Sequence, residues 1–177
     1  MAKQLTDDDA KQSLTAHVES KGTEVYMRYG PQFGWSELQR LLTDRAYVRY
    51  PCDIVFDATS LQFGEFAHPT QKGASPEDGF TMAVHPLFET QLDRVPALVL
   101  YQLVALNYGE FASSDDAETF GAAALGMTRD EYYDLLCDCA DQVGGGVPTD
   151  ILGMPLEQAH VGGGCGGGGG ECSCGGH

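Results

Sequence analysis

The sequence predicts an α+β domain with a small sheet of two or three strands and a mainly helical C-terminal half, followed by a disordered Gly/Cys-rich tail. Apolar residues alternate near residue 50, helical spacing and helix-capping residues prevail from Pro86 onward, and glycine with cysteine dominates the end. With 177 residues, of which 42% are hydrophobic, the chain is long enough for one packed core plus unstructured length. We divide it into a polar arm (1–22), a globular domain (23–143), a linker (144–161) and the tail (162–177).

The first elements along the chain are predicted to be helices. The acidic run at residues 7–9 favours a helix start, because carboxylates interact well with the positive end of the helix dipole. Gly22 is the expected stop. The stretch WSELQRLLTDR then has helical spacing, with Ser36 as a candidate N-cap. The apolar residues that share its face are Trp35, Leu38, Leu41 and Leu42.

Two strands are predicted in the middle of the chain. In AYVRYPCDIVFDA the side chains alternate between two faces, and Pro51 restricts that strand to an edge or a break. The stretch FTMAVHP at residues 80–86 is a second, shorter strand, and a Gly/Pro-rich loop, GEFAHPTQKGASPEDG, lies between the two. One face of the first strand carries Val48, Tyr50, Cys52, Ile54 and Phe56, and the other carries Arg49, Asp53 and Asp57.

The chain after residue 86 is predicted to be helical. Pro86 and Pro96 stand where prolines commonly begin helices, and Gly109 closes the second of these helices. A short alanine-rich helix follows. Thr128 and Glu131 then form a capping-box pattern at the start of the last helix, which a run of three glycines ends.

Charge limits the classes of partner. The net charge is −16, and from Val95 to the end Arg129 is the only cation against twelve Asp and Glu. Such a surface repels phosphate backbones and anionic lipids, so we expect no nucleic-acid partner and no membrane association. It suits metal ions or a basic client protein. The sequence does not indicate an oligomeric state.

The start of the chain and its longest apolar run bear on location. The first residues, MAKQLTDDDAKQ, contain no apolar signal segment, and the apolar run at residues 95–106 is far shorter than the ~20 residues of a membrane helix. We therefore expect a cytoplasmic protein, in which cysteines usually stay reduced. Six cysteines in that compartment favour metal, redox or modification chemistry over a disulfide framework.

The tail carries the main candidate site. Cys165, Cys172, Cys174 and His177 form a Cys-x6-Cys-x-Cys-x2-His pattern within the last thirteen residues. Thiolates and imidazole bind transition metals, and the set fits zinc, nickel, cuprous copper or iron. The spacing differs from that of zinc fingers, and ordering a glycine-rich chain costs entropy, which suits a carrier more than a structural site. We therefore expect a metal-binding accessory protein, of the metallochaperone or metal-storage type, without enzymatic turnover.

The same segment supports an alternative. GGGCGGGGGECSCGG resembles the core regions of ribosomally synthesised peptides whose cysteines and serines are cyclised to thiazoles and oxazoles. This resemblance covers about sixteen residues, and a domain of the present size is large for the leader of such a peptide. It implies a precursor or substrate protein that is modified at Cys165, Cys172, Ser173 and Cys174.

A weaker candidate site lies in the domain. If the two predicted strands are neighbours, carboxylates and imidazoles from their polar faces and from the loop between them converge. Such a set binds zinc, iron or manganese, or supplies a general acid and base, which makes a metal-dependent enzyme a further alternative. The sequence contains no HExxH, GxSxG or phosphate-loop motif. The residues of this candidate set are Asp53, Asp57, Glu65, His68 and His85.

Two further patterns occur in the helical half. FGAAALGMTRDEYYDLL resembles a helix-turn-helix, with Gly126 at the turn, but its second helix is acidic, so we interpret it as helix-pair packing and a protein-docking face. Cys137 and Cys139 point to different sides of that helix. We expect Cys137 and Cys52 to be in the core, which leaves open an exposed Cys139 that could meet the tail.

Overall fold

The computed structural model of the protein describes residues 7–144, and the predictions for the linker and the tail lie outside these residues. The described chain has five α-helices and a three-stranded mixed sheet, so the predicted α+β class is confirmed. The helices are α1 (Asp7–Tyr29), α2 (Trp35–Leu42), α3 (Val95–Tyr108), α4 (Ser114–Leu125) and α5 (Arg129–Gly144). The strands are β1 (Cys52–Phe56), β2 (Ala67–Gln71) and β3 (Phe80–Val84).

The sheet has the order β1-β3-β2, with β1 parallel and β2 antiparallel to the central β3. Its third strand, β2, lies inside the segment predicted as a loop. Pro69 and the flanking polar residues hide the strand signal in the sequence. Proline is tolerated there because β2 is at the sheet edge. No strand within residues 7–144 lies on its open side, so the N–H that proline lacks is not needed for a hydrogen bond on that side.

The faces of the sheet follow the predicted alternation. Cys52 is paired with Phe80 and Phe56 with Val84 in the parallel ladder, so the apolar residues of the two strands lie on one face. The first strand is shorter than the alternating pattern in the sequence, because it begins directly after Pro51. The carbonyl of Pro51 accepts a hydrogen bond from the N–H of Phe80 at 2.7 Å. That apolar face packs on the helices.

Helix α1 continues past Gly22, where the sequence predicted its end. A Cβ atom on Gly22 would lie 2.6 Å from the carbonyl oxygen of Phe120 and 2.7 Å from the Cβ of Ala123, both in α4. The glycine therefore marks a close approach of two helices. Val18 and Val25, on either side of it, are fully buried. The boundary at residue 22 thus falls inside a helix that belongs to the packed domain.

Helix α3 is the centre of the core. The apolar run that the sequence predicted to be a core helix is buried on nearly all sides, including Leu98, Leu100 and Leu103. Gln102 Nε2 donates to the carbonyl of Ala67 in β2 at 2.8 Å, which ties α3 to the sheet. None of the helices in residues 7–144 combines the length and apolar character that crossing a membrane requires.

The predicted helix ends are partly confirmed. Thr128 and Glu131 form the capping box of α5, with Thr128 N–H donating to Glu131 Oε2 at 2.8 Å and Glu131 N–H to Thr128 Oγ1 at 3.2 Å. Gly109 and Gly126 end α3 and α4 with positive φ angles. Pro86, in contrast, opens a short 3₁₀ turn and not an α-helix.

The predicted N-cap of α2 is wrong by two residues. Ser36 lies within the helix, and Gly34 occupies the N-cap position. The N–H of Gly34 donates to Glu37 Oε2 at 3.1 Å, so the helix start is closed by the carboxylate of its third residue. The amphipathic face of α2 is as predicted, because its leucines are buried.

Candidate functional site

The main candidate ligands lie outside the described residues. Cys165, Cys172, Cys174 and His177 all belong to the tail, as does Ser173 of the alternative interpretation. The metal site predicted there stays a prediction from the sequence.

The parallel arrangement of β1 and β3 brings part of the weaker candidate set to one end of the sheet. The N–H of Asp57, directly after β1, donates to the carbonyl of Val84 at 3.1 Å. The N–H of His85, directly after β3, donates to the carbonyl of Phe66 at 2.8 Å. The backbones of Asp57, His85 and the start of β2 are thus neighbours, as expected if the two predicted strands are adjacent.

The side chains at this end are engaged with their own local backbone. Asp57 Oδ1 accepts from Thr59 Oγ1 at 2.6 Å and from Thr59 N–H at 3.0 Å. These two hydrogen bonds lower the pKa of the Asp57 carboxyl group below its ordinary value. His85 Nδ1 accepts from the N–H of Leu87 at 3.2 Å, which makes His85 the cap of the following 3₁₀ turn.

The remaining members of the set form two separate pairs. His68 lies in β2, and its Nδ1 is 3.0 Å from Glu65 Oε1. The Glu65 carboxylate also accepts from the N–H of Gln62 at 2.9 Å. Asp53 lies farther along the sheet, opposite Thr81, and its carboxylate is paired with Lys72 Nζ.

Within residues 7–144 no group of three or more His, Cys, Asp or Glu side chains is arranged to hold a metal ion. The structure joins only Glu65 and His68 directly. Metal binding by the full set would require Asp57 and His85 to leave their present hydrogen bonds. The residues that sequence reasoning placed in this set therefore act here mainly as turn caps and surface pairs.

The cysteines of the domain are placed differently from the prediction in one respect. Cys52 is buried, as expected, and burial raises the pKa of its thiol to about 11. Cys139 is fully buried and Cys137 only half-buried, which reverses the predicted order. The Cys139 sulfur lies 3.6 Å from Arg94 Nη1, and burial still raises the pKa of the thiol. Helix α5 turns this side toward the core because Tyr132 and Leu136, on the same side, are buried as well.

The helix-pair pattern is present as α4 and α5, joined at Gly126, whose φ is +67°. The single cation of α5, Arg129, is paired with Asp115 at 2.9 Å and with Glu118 at 2.6 Å. The rest of the exposed charge on this helix is negative. This arrangement fits the interpretation of helix packing with an acidic outer face.

Sequence reasoning missed a concentration of cations near the start of the domain. The segment 21–49 contains five cations and only three carboxylates, although the whole chain has a net charge of −16. The net charge of each separate segment would have revealed these cations, whereas the net charge of the whole chain conceals them. The five cations are Lys21, Arg28, Arg40, Arg45 and Arg49.

Comparison with known proteins gives no relative from which a site can be transferred. The chain matches no protein-family model, no curated protein and no solved structure.

Proposed function

We propose that the protein is a metal-binding accessory protein, of the metallochaperone or metal-storage type, that captures a transition metal ion with its C-terminal residues. The observation that carries the proposal is the clustering of three thiols and one imidazole in the last thirteen residues. The folded domain then serves as the part that docks on a client protein. The four proposed ligands are Cys165, Cys172, Cys174 and His177.

The burial of the domain's cysteines supports a site made by the tail alone. Cys52 and Cys139 are buried in the core, and burial raises the pKa of both thiols, so neither is positioned to bind a metal ion that the tail holds. Among the described residues this leaves only Cys137 as a half-exposed thiol. Three tail thiolates with His177 already complete a tetrahedral Cys3His set, which needs no further ligand.

The chemistry of the tail suits reversible capture. Glycine allows short ligand spacings to close around an ion, because its backbone reaches conformations that other residues avoid. The entropy lost in ordering such a segment lowers the net affinity. A carrier must release its metal to a client, so a site with strong ligands and a costly closure is appropriate for that task.

The acidic outer face of α5 is the proposed contact for a basic client. Asp130, Asp134 and Asp138 are all exposed there, and none of them has an ion-pair partner among the described residues. Complementary charge raises the rate of encounter and selects against acidic partners. Weaker client binding at higher salt concentration is therefore expected.

Cobalt titration of the full-length protein under anaerobic conditions tests the metal site. Co²⁺ bound by thiolates in a tetrahedral site gives charge-transfer and ligand-field absorption bands that hexa-aqua cobalt lacks. We expect one equivalent to saturate these bands in the wild-type protein and the bands to be absent from a variant with Cys165, Cys172 and Cys174 replaced by serine. Cys137→Ser is the matched control and should titrate like wild type. Unchanged bands in the triple variant would exclude the proposed ligands.

The second candidate function is a protein whose tail is cyclised after translation, and the Cys-Ser-Cys sequence at residues 172–174 favours it. Each azole formed removes one water molecule and two hydrogen atoms from the chain, and this mass loss survives denaturation, whereas a bound metal does not. The intact mass of protein from its native host separates the two functions. A mass equal to that of the unmodified chain would exclude cyclisation.

A further inference from the structure

A cavity of about 220 Å³ lies between α1, the turn at residues 45–49 and the C-terminal half of α3. Its walls combine cationic side chains with aromatic rings, and its apolar lining comes from Ala46, Val104 and Phe120. This composition is unusual in a chain with so large a negative charge. The polar and aromatic lining residues are His17, Lys21, Arg45, Tyr47, Arg49, Asn107 and Tyr108.

The cations of this cavity are available to a ligand. Arg45 and Arg49 are exposed, and neither forms an ion pair with any carboxylate in the described part of the chain. Lys21 is 2.8 Å from Glu24, and its ammonium group also lies 5.6 Å from the centre of the Tyr47 ring. Three positive charges therefore face one small volume, and two carboxylates lie near them: Glu24 beside Lys21, and Glu77 within electrostatic range of Arg49.

Asn107 holds the wall of the cavity in place. Its Nδ2 donates to the carbonyl of Tyr47 at 2.7 Å, and its Oδ1 accepts from the N–H of Arg49 at 2.9 Å. Both groups of the amide thus fix the 45–49 turn to α3. A site whose backbone is set before binding loses less entropy when a ligand arrives.

A second, more apolar groove of about 580 Å³ adjoins the cavity, and Arg49, Asn107 and Tyr108 line both. Its other walls include Tyr50, Phe80, Leu106 and Phe111. The Phe111 side chain is 87% exposed, the largest exposed fraction among the large apolar residues that the structure describes. Cationic and apolar volumes therefore lie side by side, joined at Arg49.

We infer that these two volumes form one binding site for a small organic anion that carries a carboxylate or phosphate on an apolar or aromatic group. The anionic group lies among Lys21, Arg45 and Arg49, where guanidinium groups provide paired donors for either oxyanion. The apolar part lies against Tyr108 and Phe111 in the adjoining groove. The first volume is smaller than a typical ligand pocket, so it accommodates the charged group alone, and the groove receives the remainder. This inference does not depend on the proposed metal site.

Titration of the full-length protein with phenyl phosphate, followed by ¹H–¹⁵N NMR, tests the inference. We expect saturable shifts at the Asn107 side-chain amide and in the 45–49 turn. Inorganic phosphate should shift the same signals with at least several-fold lower affinity, because it lacks the apolar part. Benzoate in place of phenyl phosphate distinguishes a carboxylate site from a phosphate site, and benzylamine, with the opposite charge, should not bind.

Substitutions assign the two parts of the site. The double variant Arg45→Gln, Arg49→Gln should lose at least tenfold in affinity for phenyl phosphate, whereas Arg40→Gln, an exposed arginine outside the cavity, should not change it. Phe111→Ala should weaken phenyl phosphate binding and leave inorganic phosphate binding unchanged. Wild-type dispersion of the NMR spectrum serves as the check of folding for each variant. Shifts that do not saturate, or equal affinities in the Arg45/Arg49 and Arg40 variants, would overturn the inference.

Discussion

The positions of individual side chains decide which groups of the domain are free to react. The two thiols with the strongest burial, Cys52 and Cys139, lie in the core, so their placement in the sequence near polar residues does not make them ligands. Asp57 and His85 are likewise occupied by local hydrogen bonds. A residue type suited to chemistry is therefore informative only together with its hydrogen-bond partners and its exposure.

Asp116 shows the opposite case, a buried carboxylate with a structural role. It is only 4% exposed, and it accepts hydrogen bonds from Ser113 N–H at 3.0 Å, Ser113 Oγ at 2.7 Å and Thr15 Oγ1 at 2.7 Å. Burial raises the pKa of this carboxyl group, but the hydrogen bonds outweigh it and leave the pKa below its ordinary value. The ionised group thus caps α4 and joins it to α1.

We predict that Asp116→Ala lowers the free energy of unfolding by roughly 1–3 kcal/mol, measured by urea denaturation at neutral pH. Since the folded-state pKa is depressed, the stabilisation is present above the unfolded-state pKa and is lost as the pH falls toward the folded-state value. The difference between wild type and variant should therefore shrink in acid. Asp138→Ala, at an exposed position of α5, should stay within about 0.5 kcal/mol of wild type. A difference independent of pH would contradict this account of Asp116.

At the scale of elements, the contact between α1 and α4 depends on a glycine that the sequence alone suggests is a helix end. Alanine at Gly22 should gain about 1 kcal/mol of helix propensity, whereas its methyl group would meet the backbone of Phe120 at 2.6 Å. Because a backbone carbonyl cannot move aside as a flexible side chain does, we expect the steric cost to prevail.

We therefore predict that Gly22→Ala is destabilising, by up to about 2 kcal/mol after the propensity gain is subtracted from the overpacking cost. Ser20→Ala, an exposed position of the same helix, is the control and should be neutral or slightly stabilising. The denaturation midpoints of the two variants in urea give the comparison. A more stable Gly22→Ala protein would mean that α1 and α4 do not approach this closely.

How far the elements were predictable depends on whether their signals are local. The leucine face of α2, the Thr128–Glu131 box of α5 and the alternation in β1 and β3 are local patterns, and each agrees with the structure. β2 was missed because its residues form a strand by pairing with β3, and that pairing is not evident from the sequence of β2 itself. The end of α1 was misplaced because Gly22 is needed for a contact with α4, which lies far away in the sequence.

The candidate sites were less predictable than the elements for the same reason. The alternation put Asp57 and His85 on the polar faces of two predicted strands. In the structure they directly follow the adjacent strands β1 and β3, and short-range hydrogen bonds hold their side chains. The cationic cavity is lined by residues of α1, the 45–49 turn and α3, so no single stretch of the sequence indicates it. The proposed tail ligands, in contrast, lie within thirteen residues of sequence, and the sequence alone is sufficient to propose them.

For the whole molecule, the described residues belong to a single packed unit whose core is built around α3. Within residues 7–144 this unit brings no metal-binding group together, and its two buried thiols have raised pKa values. Its charge is divided between a cationic segment at 21–49 and the acidic α5. We therefore propose that the C-terminal residues capture the metal and that the domain serves molecular recognition.

The most direct test of this division is the metal content of protein purified anaerobically, compared between the full-length chain and a chain that lacks residues 162–177. We predict about one transition metal ion per full-length chain and almost none in the shortened chain, since the ligand set of one tetrahedral site is removed with those residues. Circular dichroism of the shortened protein should match that of the full-length protein in helix content. Equal metal content in the two proteins would contradict metal capture by the tail and would point to a site in the domain, with the Glu65–His68 pair as its first candidate.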